Sequence, residues 1–238
     1  MGRIIGVLNY KGGTGKTTTV VNLAAGLALR GERVLCIDLD AQGSLATYLG
    51  VSHVHSLAHL LLGQVRPQAC IVQARDNLDL IPSDSGLLQA EMQMWRGNED
   101  RAVRRMLIDK MRPLEDLYDY VILDFSPSAS PLSESGLLYT RELIVPVSTG
   151  YMALVGLRQV IQTLEGFRQI PDRRVWLYMI VPTLYSEQLR QDREVVEILR
   201  RHFAHKVADP IRTNVKVAEA PSHHKSIYEY APGSSGAI

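Results

Sequence analysis

Residues 3–30 read RIIGVLNYKGGTGKTTTVVNLAAGLALR, and this stretch decides the fold. It opens with an apolar run at residues 4–8, and after residue 19 its apolar residues recur at the spacing of a helix. We therefore predict a buried strand, a glycine-rich turn and a helix. Glycines let successive backbone N–H groups point into one concavity, and the helix dipole adds partial positive charge there. Such a turn is typical of a polyphosphate site.

The turn, residues 11–18, carries the chemistry of this stretch. Lys16 would neutralise the β- and γ-phosphates of a nucleotide, and Thr17 would place its hydroxyl on Mg²⁺. The alternative is a glycine-rich turn with two solvated lysines, but so long a match between a strand and a helix favours the binding loop. The residues predicted to contact the nucleotide are Lys11, Gly12, Gly13, Thr14, Gly15, Lys16, Thr17 and Thr18.

One position departs from the standard phosphate-binding motif G-x-x-x-x-G-K-[ST]. Counting back from Gly15, the first glycine would fall at Tyr10, and a second lysine, Lys11, precedes the paired glycines. The sequence K-G-G-T-G-K-T resembles the deviant Walker A motif of the ParA/MinD family of ATPases. This resemblance implies ATP and Mg²⁺ as cofactors and an ATP-dependent homodimer with the nucleotide between its subunits. Lys16 would act within its own subunit, and Lys11 would reach across to the partner's nucleotide.

Composition narrows the class of protein. The 238 residues are 46% hydrophobic without a break in composition, so we predict one domain over residues 1–238. With a net charge of +1, binding to nucleic acid would need a local basic patch. Cys36 and Cys70 form no C-x-x-C pair or disulfide framework, which fits a reducing cytoplasm. No apolar stretch has the length of a signal-peptide core or a membrane span, so we expect a soluble protein without a membrane partner.

A second apolar run, residues 34–37, leads into Asp38, Asp40 and Gln42. Ligands bind at the carboxyl ends of strands in open parallel sheets, where two carboxylates could hold Mg²⁺ through water or orient an attacking water. On spacing alone, a solvated turn before a helix is the simpler interpretation. The D-x-D-x-Q pattern, however, resembles switch I of the ParA family, which implies that Asp40 is needed for hydrolysis. Ala41 replaces the proline that is common there.

A third candidate carboxylate is Asp124, which ends the apolar run at residues 121–123. A buried strand that delivers one carboxylate to the sheet edge can hold Mg²⁺ through a water, as a Walker B strand does. The family usually continues D-x-P-P, whereas residues 125–128 here read FSPS. The residues predicted to hold the metal are Thr17, Asp38, Asp40 and Asp124.

Further apolar runs predict strands at residues 78–81, 143–147 and 175–183, with helical spacing between them. Gly97 and Asn98 are predicted to break one long helical segment in two. Strands that are continuous apolar runs and alternate with helices are typical of a parallel sheet covered on both faces. The sequence thus predicts a single doubly wound α/β fold with a mostly parallel sheet.

A candidate basic helix lies at residues 186–202. Its spacing places four apolar residues inward and four arginines outward, and the arginines include the DNA-binding candidates Arg190 and Arg193. Acidic residues are interspersed with these arginines, so a solvated, ion-paired face and a DNA-binding face are equally consistent with the pattern. The four residues predicted to point inward are Val195, Val196, Ile198 and Leu199.

The last segment, residues 211–237, closely resembles the tail of the ParA/Soj branch of the same family. Lys216 stands where that branch has a DNA-contacting arginine, and a lysine keeps the charge that a phosphate needs. Without the resemblance, Lys216 would be an ordinary exposed lysine. Lys225 is the second candidate in this segment. His224 and Thr213 replace a usual glycine and a usual arginine, which thins the basic patch, so we expect modest affinity for DNA.

The resemblance covers essentially the whole chain and implies a slow, partner-stimulated Mg²⁺-dependent ATPase that partitions or positions DNA or another large cargo. Its dimer would bind double-stranded DNA without sequence preference, which implies a cytoplasmic, nucleoid-associated protein. A ParB-like or adaptor protein would stimulate hydrolysis. The adenine would lie against Pro182 and Thr183.

Three alternatives from other classes remain open at this level. A MinD-like membrane-cycling regulator of cell division would share the loop but needs a basic amphipathic helix at its C-terminus. An electron-transfer ATPase would need cysteines that bridge a cluster at a dimer interface. A binding module could hold ATP without turning it over.

Overall fold

The computed structural model describes residues 2–96, 100–150, 152–170 and 175–237. The strands within these ranges are β1 (Arg3–Val7), β2 (Val34–Leu39), β3 (Val72–Arg75), β4 (Leu78–Ile81), β5 (Tyr120–Phe125), β6 (Glu142–Ser148) and β7 (Trp176–Thr183). They form one sheet in the order β3-β4-β2-β5-β1-β6-β7. Strand β3 pairs antiparallel to β4, and the other pairings are parallel. The predicted mostly parallel sheet is confirmed.

The α-helices within the same ranges are α1 (Lys16–Ala28), α2 (Ser44–Leu49), α3 (Leu57–Leu61), α4 (Gly86–Arg96), α5 (Asp100–Met111), α6 (Pro131–Tyr139), α7 (Ala153–Gly166), α8 (Arg190–Phe203), α9 (Val215–Glu219) and α10 (Ile227–Tyr230). No helix in this described part of the chain is long and apolar enough to cross a membrane.

Helices cover both faces of the sheet. Alternate residues of each central strand point to opposite faces, so both faces carry apolar side chains that the helices bury. Ile4 and Leu8 belong to one buried apolar cluster, to which helices α3 to α8 contribute. Ile5 and Val7 belong to the other, to which α1 and α2 contribute. The central strands therefore lack a polar face, which is why they appear in the sequence as continuous apolar runs. The doubly wound α/β fold is confirmed.

Strand β1 lies at the centre of the sheet and fixes the position of the glycine-rich turn. From β1 the chain passes to β2 on one side, and from β5 it later crosses to β6 on the other. The strand order thus reverses around β1, and ligands bind at the carboxyl edge where such a reversal occurs. The register places Asp38 of β2 opposite Asp124 of β5, and Asp124 opposite Val7 of β1.

The structure differs from the sequence predictions at several points. Strands β2 and β5 run past their predicted ends, so Asp38 and Asp124 lie within strands. Strand β3 was not predicted, because its residues VQAR form neither an apolar run nor a buried face. Ile198, predicted to point inward, is 37% exposed, so the buried stripe of α8 is narrower than the pattern suggests. Gly97 and Asn98, at the predicted helix break, lie outside the described residues.

Gly136 tests how closely α6 packs on the sheet. A Cβ atom at Gly136 would lie 2.8 Å from Leu39 Cδ1 and 2.9 Å from Phe125 Cε1, both side chains being buried. We expect Gly136→Ala to lower the free energy of unfolding by about 1–3 kcal/mol through overpacking. Urea denaturation followed by circular dichroism measures this change.

Gly166 provides the matched control, because a Cβ atom there at the end of α7 would meet no atom within 4 Å. Gly166→Ala should leave the free energy of unfolding unchanged or raise it by up to about 1 kcal/mol, as alanine restricts the unfolded chain. Equal stability of the two variants would show that α6 can move away from the sheet without cost.

Candidate active site

The glycine-rich turn lies between β1 and α1 and faces open space. Gly13 and Gly15 have positive φ values of 71° and 85°, which residues with a Cβ rarely adopt. A Cβ atom at Gly12 or Gly13 would meet nothing within 4 Å. The first turn of α1 contains no acidic residue, so no carboxylate within that turn offsets the positive end of the helix dipole. This geometry is that of an anion-binding loop.

Lys16 begins α1 and lies under the turn, with 8% of its surface exposed. Its ammonium donates a hydrogen bond to the Lys11 carbonyl at 3.2 Å. Burial lowers the pKa of Lys16, and the charges of Asp124 and Asp40 oppose that shift. The ammonium thus lies at the turn, in the field of two carboxylates, where an anionic ligand would add to its stabilisation.

Two aspartates on neighbouring strands form the floor of the site. Asp38 is fully buried and accepts hydrogen bonds from the backbone N–H groups of Asp40 at 2.9 Å and Leu45 at 3.1 Å. Asp124 is 1% exposed and accepts a hydrogen bond of 2.6 Å from the Thr17 hydroxyl. Burial raises the pKa of Asp38 to about 7. Burial, together with the charge of Asp38, raises the pKa of Asp124 well above its ordinary value. Asp38 is therefore not part of a solvated turn.

The donor set of this floor suits Mg²⁺. Asp124 Oδ1 is buried without a hydrogen-bond partner, which leaves one carboxylate oxygen available. Among the described residues, no three His, Cys, Asp or Glu side chains converge closely enough to form a metal cage. Mg²⁺ usually keeps several waters and uses one or two carboxylates together with phosphate oxygens, so it needs no such cage. Thr17 and Asp124, with Asp38 and Asp40 behind water, could hold the ion.

Asp40 lies in the turn after β2, where water can reach it. Its carboxylate accepts a hydrogen bond from the Gln42 N–H at 3.0 Å, and its charge contributes to the raised pKa of Asp124. Gly43, three residues after Asp40, has a φ of 63°, and a Cβ atom at that position would lie 2.6 Å from the Ser83 carbonyl oxygen. The turn therefore holds Asp40 beside the buried carboxylates in one backbone conformation.

Two contacts that support the turn were not predicted from the sequence. Thr183, for which the resemblance implies an adenine contact beside Pro182, uses its buried hydroxyl to donate to the Thr14 carbonyl at 2.9 Å. Asn9, buried at the end of β1, accepts from the Lys11 N–H at 3.0 Å and donates to the Pro146 carbonyl at 2.8 Å. In the sequence, the one feature that could have indicated this role of Asn9 is its position as a polar residue directly after an apolar run.

The cysteines are not placed to bind a cluster. Cys36 in β2 and Cys70 are both fully buried, and burial raises the pKa of both thiols. A cysteine buried in the core cannot bridge a cluster at a surface between subunits, so the electron-transfer alternative is not supported.

The two DNA-binding candidates of the tail are exposed. Lys216 in α9 forms an ion pair with Glu219 at 3.0 Å and lies 5.7 Å from the centre of the Tyr230 ring. The Asn214 side chain caps α9 by accepting the Lys216 N–H. Lys225 lies on the surface just before α10. The tail thus presents two ammonium groups, one of them already paired with a carboxylate.

The arginines of α8 are exposed and largely paired with nearby acceptors. Arg190 binds Glu194 at 2.7 Å, and Arg193 donates to the Glu187 carbonyl. The same arrangement continues along the helix in the pairs Arg201–Glu197 and Arg200–Asp209. These contacts fit the solvated, ion-paired face that the sequence pattern left as one of two interpretations.

The tail packs against the two helices that border the site. His224 Nδ1 lies 2.9 Å from the Thr47 carbonyl of α2, and a Cβ atom at Gly50 would lie 2.7 Å from His224 Cβ. Asn22 of α1 accepts the Ile227 N–H at 2.8 Å. The segment that carries Lys216 and Lys225 is therefore joined to α1 and α2 by hydrogen bonds.

Comparison with known proteins agrees with this geometry. The protein family described as "AAA domain" matches residues 2–175. The chain is 39% identical over 236 residues to the chromosome-partitioning ATPase Soj of Thermus thermophilus, covering 99% of this chain and 91% of that protein. It is 35% identical over 242 residues to the sporulation initiation inhibitor protein Soj of Bacillus subtilis, covering 100% of this chain and 94% of that protein.

A solved structure shows the same fold. The cobyrinic acid a,c-diamide synthase of Mycobacterium smegmatis, with a bound ATP analogue and magnesium, superimposes with a TM-score of 0.82 at 30% identity, covering 94% of this chain and 93% of that chain. The fold, the deviant phosphate-binding loop and the relatives that match along the whole chain lead to one conclusion: this chain belongs to the ParA/MinD family of ATPases.

Proposed function

We propose that this ATPase uses Mg²⁺ and that ATP binding drives a homodimer, which binds double-stranded DNA without sequence preference and positions DNA or another large cargo. One observation carries the proposal: two buried carboxylates, Asp38 and Asp124, lie side by side beneath an anion-binding loop, with one oxygen left without a partner. A cation would neutralise the two carboxylates, and an anion would accept hydrogen bonds from the N–H groups of the loop. Mg²⁺-ATP supplies both.

Each residue of the site would contribute a distinct part of the chemistry. The N–H groups of the loop and the Lys16 ammonium would hold the phosphates, and Thr17 and Asp124 would hold the metal. When bound, Mg²⁺ neutralises charge on the phosphate oxygens as the terminal phosphoryl group is transferred to water. Asp40, held in the turn after β2, would orient the attacking water and accept its proton.

Lys11 supports the proposed dimer. Within the described residues, its ammonium forms no hydrogen bond or ion pair, although its backbone is held by several. A lysine with a fixed backbone and an unpaired ammonium is suited to reach another subunit's phosphates. Because negative charge on the terminal phosphate is largest in ATP and its transition state, this contact would link dimerisation to the nucleotide state.

The proposed DNA face consists of Lys216 and Lys225 in the tail, together with Arg190 and Arg193 of α8. Lys216, Arg190 and Arg193 would each have to exchange a present partner for a phosphate. Few contacts per subunit imply that the dimer binds DNA much better than the monomer does. The chromosome-partitioning relative from Thermus thermophilus supports a role linked to DNA. Binding to DNA would place the protein in the cytoplasm, at the nucleoid. A ParB-like or adaptor protein would speed a slow basal hydrolysis.

Lys16→Ala tests the nucleotide assignment. Removing the buried ammonium leaves the phosphates without their main charge partner in the same subunit, so we expect ATP affinity to fall by about 100-fold or more. Isothermal titration calorimetry with Mg²⁺-ATP measures this loss. Lys110→Ala, at a partly exposed lysine near the end of α5, serves as the control. Equal affinity in both variants would contradict the loop as the phosphate site.

Asp40→Ala tests the catalytic assignment. We expect ATP binding and ATP-dependent dimerisation to persist while hydrolysis falls by about 100-fold to 10,000-fold, the range for loss of a general base. Phosphate release gives the rate, and sedimentation velocity gives the dimer. Asp76→Ala, at an exposed turn between β3 and β4, is the control. Lost binding together with normal turnover of the bound nucleotide would show that Asp40 has a different role.

Lys216→Glu tests the DNA face. Replacing attraction by repulsion should weaken binding to unrelated duplexes equally and reduce the salt dependence, while ATP-dependent dimerisation is unchanged. Mobility shifts with two duplexes at several salt concentrations, with ATP or ADP, measure both effects. Lys110→Glu makes the same charge change on α5 as a control. If Lys216→Glu binds DNA like the wild type, Lys216 is a solvated lysine outside the DNA face.

A further inference from the structure

Asn9 is a buried polar side chain at the point where the chain leaves the sheet. It follows β1 and precedes the phosphate-binding turn, and it is 1% exposed. Its two hydrogen bonds join different parts of the fold: Nδ2 donates to the Pro146 carbonyl of β6, and Oδ1 accepts the N–H of Lys11. Asn9 itself lies outside the phosphate-binding motif, and one of its bonds reaches the first residue of that motif, Lys11.

The bond to Pro146 continues the hydrogen-bond ladder between β1 and β6. The Leu8 N–H donates to the Ile144 carbonyl at 3.1 Å, and the next carbonyl along that edge of β6 belongs to Pro146. The Asn9 side chain takes the place of the backbone N–H that a longer β1 would have offered there. The chain can therefore turn away into the loop without leaving a buried carbonyl unpaired.

Helix α7 packs against the hydrogen bond between Asn9 and Lys11. A Cβ atom at Gly156 would lie 2.2 Å from Asn9 Oδ1 and 3.3 Å from Lys11 Cβ. The helix backbone thus packs directly on the amide of Asn9 and on the stem of Lys11. The contacts with β6 on one side and α7 on the other restrict the Asn9 side chain to one conformation.

Lys11 is the residue that this arrangement fixes. Its N–H is bound by Asn9, and its carbonyl accepts from Lys16 Nζ at 3.2 Å and faces the Thr14 hydroxyl at 3.5 Å. Its own ammonium has no such partner among the described residues. The backbone of Lys11 is therefore fixed at both ends, and its side chain is directed by the backbone rather than by a partner of its own.

We propose that Asn9 is a positioning residue that sets the direction in which Lys11 extends toward the nucleotide of a partner subunit. The inference rests on the proposed function, in which Lys11 acts across the dimer. It adds that the reach of Lys11 is determined by the sheet and by α7 through one amide, and that ATP binding within a single subunit does not depend on this amide.

The first experiment compares Asn9→Ala, Lys11→Ala and the double variant. In Asn9→Ala, we expect dimerisation with a slowly hydrolysed ATP analogue and the rate of hydrolysis to fall by about tenfold or more, because small displacements of a charged group have effects of that size. The monomer's affinity for Mg²⁺-ATP should change by less than about threefold, since Lys16 is untouched. In the Lys11→Ala background, Asn9→Ala should cause no further loss of dimer.

The second experiment needs no nucleotide and approaches the same amide from α7. We expect the Lys11 N–H to exchange with solvent faster in Asn9→Ala and in Gly156→Ala than in the wild type, measured by NMR on the nucleotide-free protein. Gly166→Ala, a change in the same helix that meets no neighbouring atom, should exchange like the wild type and dimerise normally.

Two results would overturn the inference while leaving the proposed function intact. One is an additive loss in the double variant, which would mean that Asn9 acts independently of Lys11. The other is a parallel fall in ATP affinity and in stability to urea, which would make Asn9 a purely structural residue. If the wild type forms no dimer with ATP, or if Lys11→Ala dimerises normally, the proposed function fails first and the role of Asn9 fails with it.

Discussion

Two carboxylates buried side by side on neighbouring strands impose the main constraint on this structure. Asp38 and Asp124 face each other in the register of β2 and β5, and burial disfavours their charged forms. A sheet does not hold two such groups at its centre without compensation. The backbone N–H groups that bind Asp38, the Thr17 hydroxyl and the nearby Lys16 ammonium provide part of that compensation. A metal bound with the nucleotide would provide the rest.

Contacts that support the loop lie outside the recognisable motif. The first turn of α1 places Lys16 and Thr17 at the carboxylates, whereas the loop before that helix is held by contacts from the sheet. Asn9 holds its beginning, and Thr183 holds its middle at Thr14. The two contacts come from the carboxyl ends of β1 and β7, so the position of the loop is set by the sheet, whereas the glycines allow the backbone to turn.

Much of this could be predicted from the sequence, and the failures have physical causes. Strands buried on both faces appear as apolar runs, and a loop that needs positive φ needs glycine, so both features were visible. The edge strand β3 has no buried face, and Asn9 and Thr183 act through partners far away in sequence, which no local pattern reveals. Spacing also could not determine the pairing of the α8 arginines, because each neighbouring carboxylate can either be hydrated or form an ion pair with an arginine.

The contact between the tail and α2 also limits how the sequence can diverge. His224 fits against α2 only because Gly50 has no side chain, and its ring binds the Thr47 carbonyl, a group that every residue type at that position provides. Substitutions at Thr47 therefore leave the acceptor in place, whereas any side chain at Gly50 would displace the ring. Lineages that keep histidine at position 224 must keep glycine at position 50, although the two residues lie in segments that share no sequence motif.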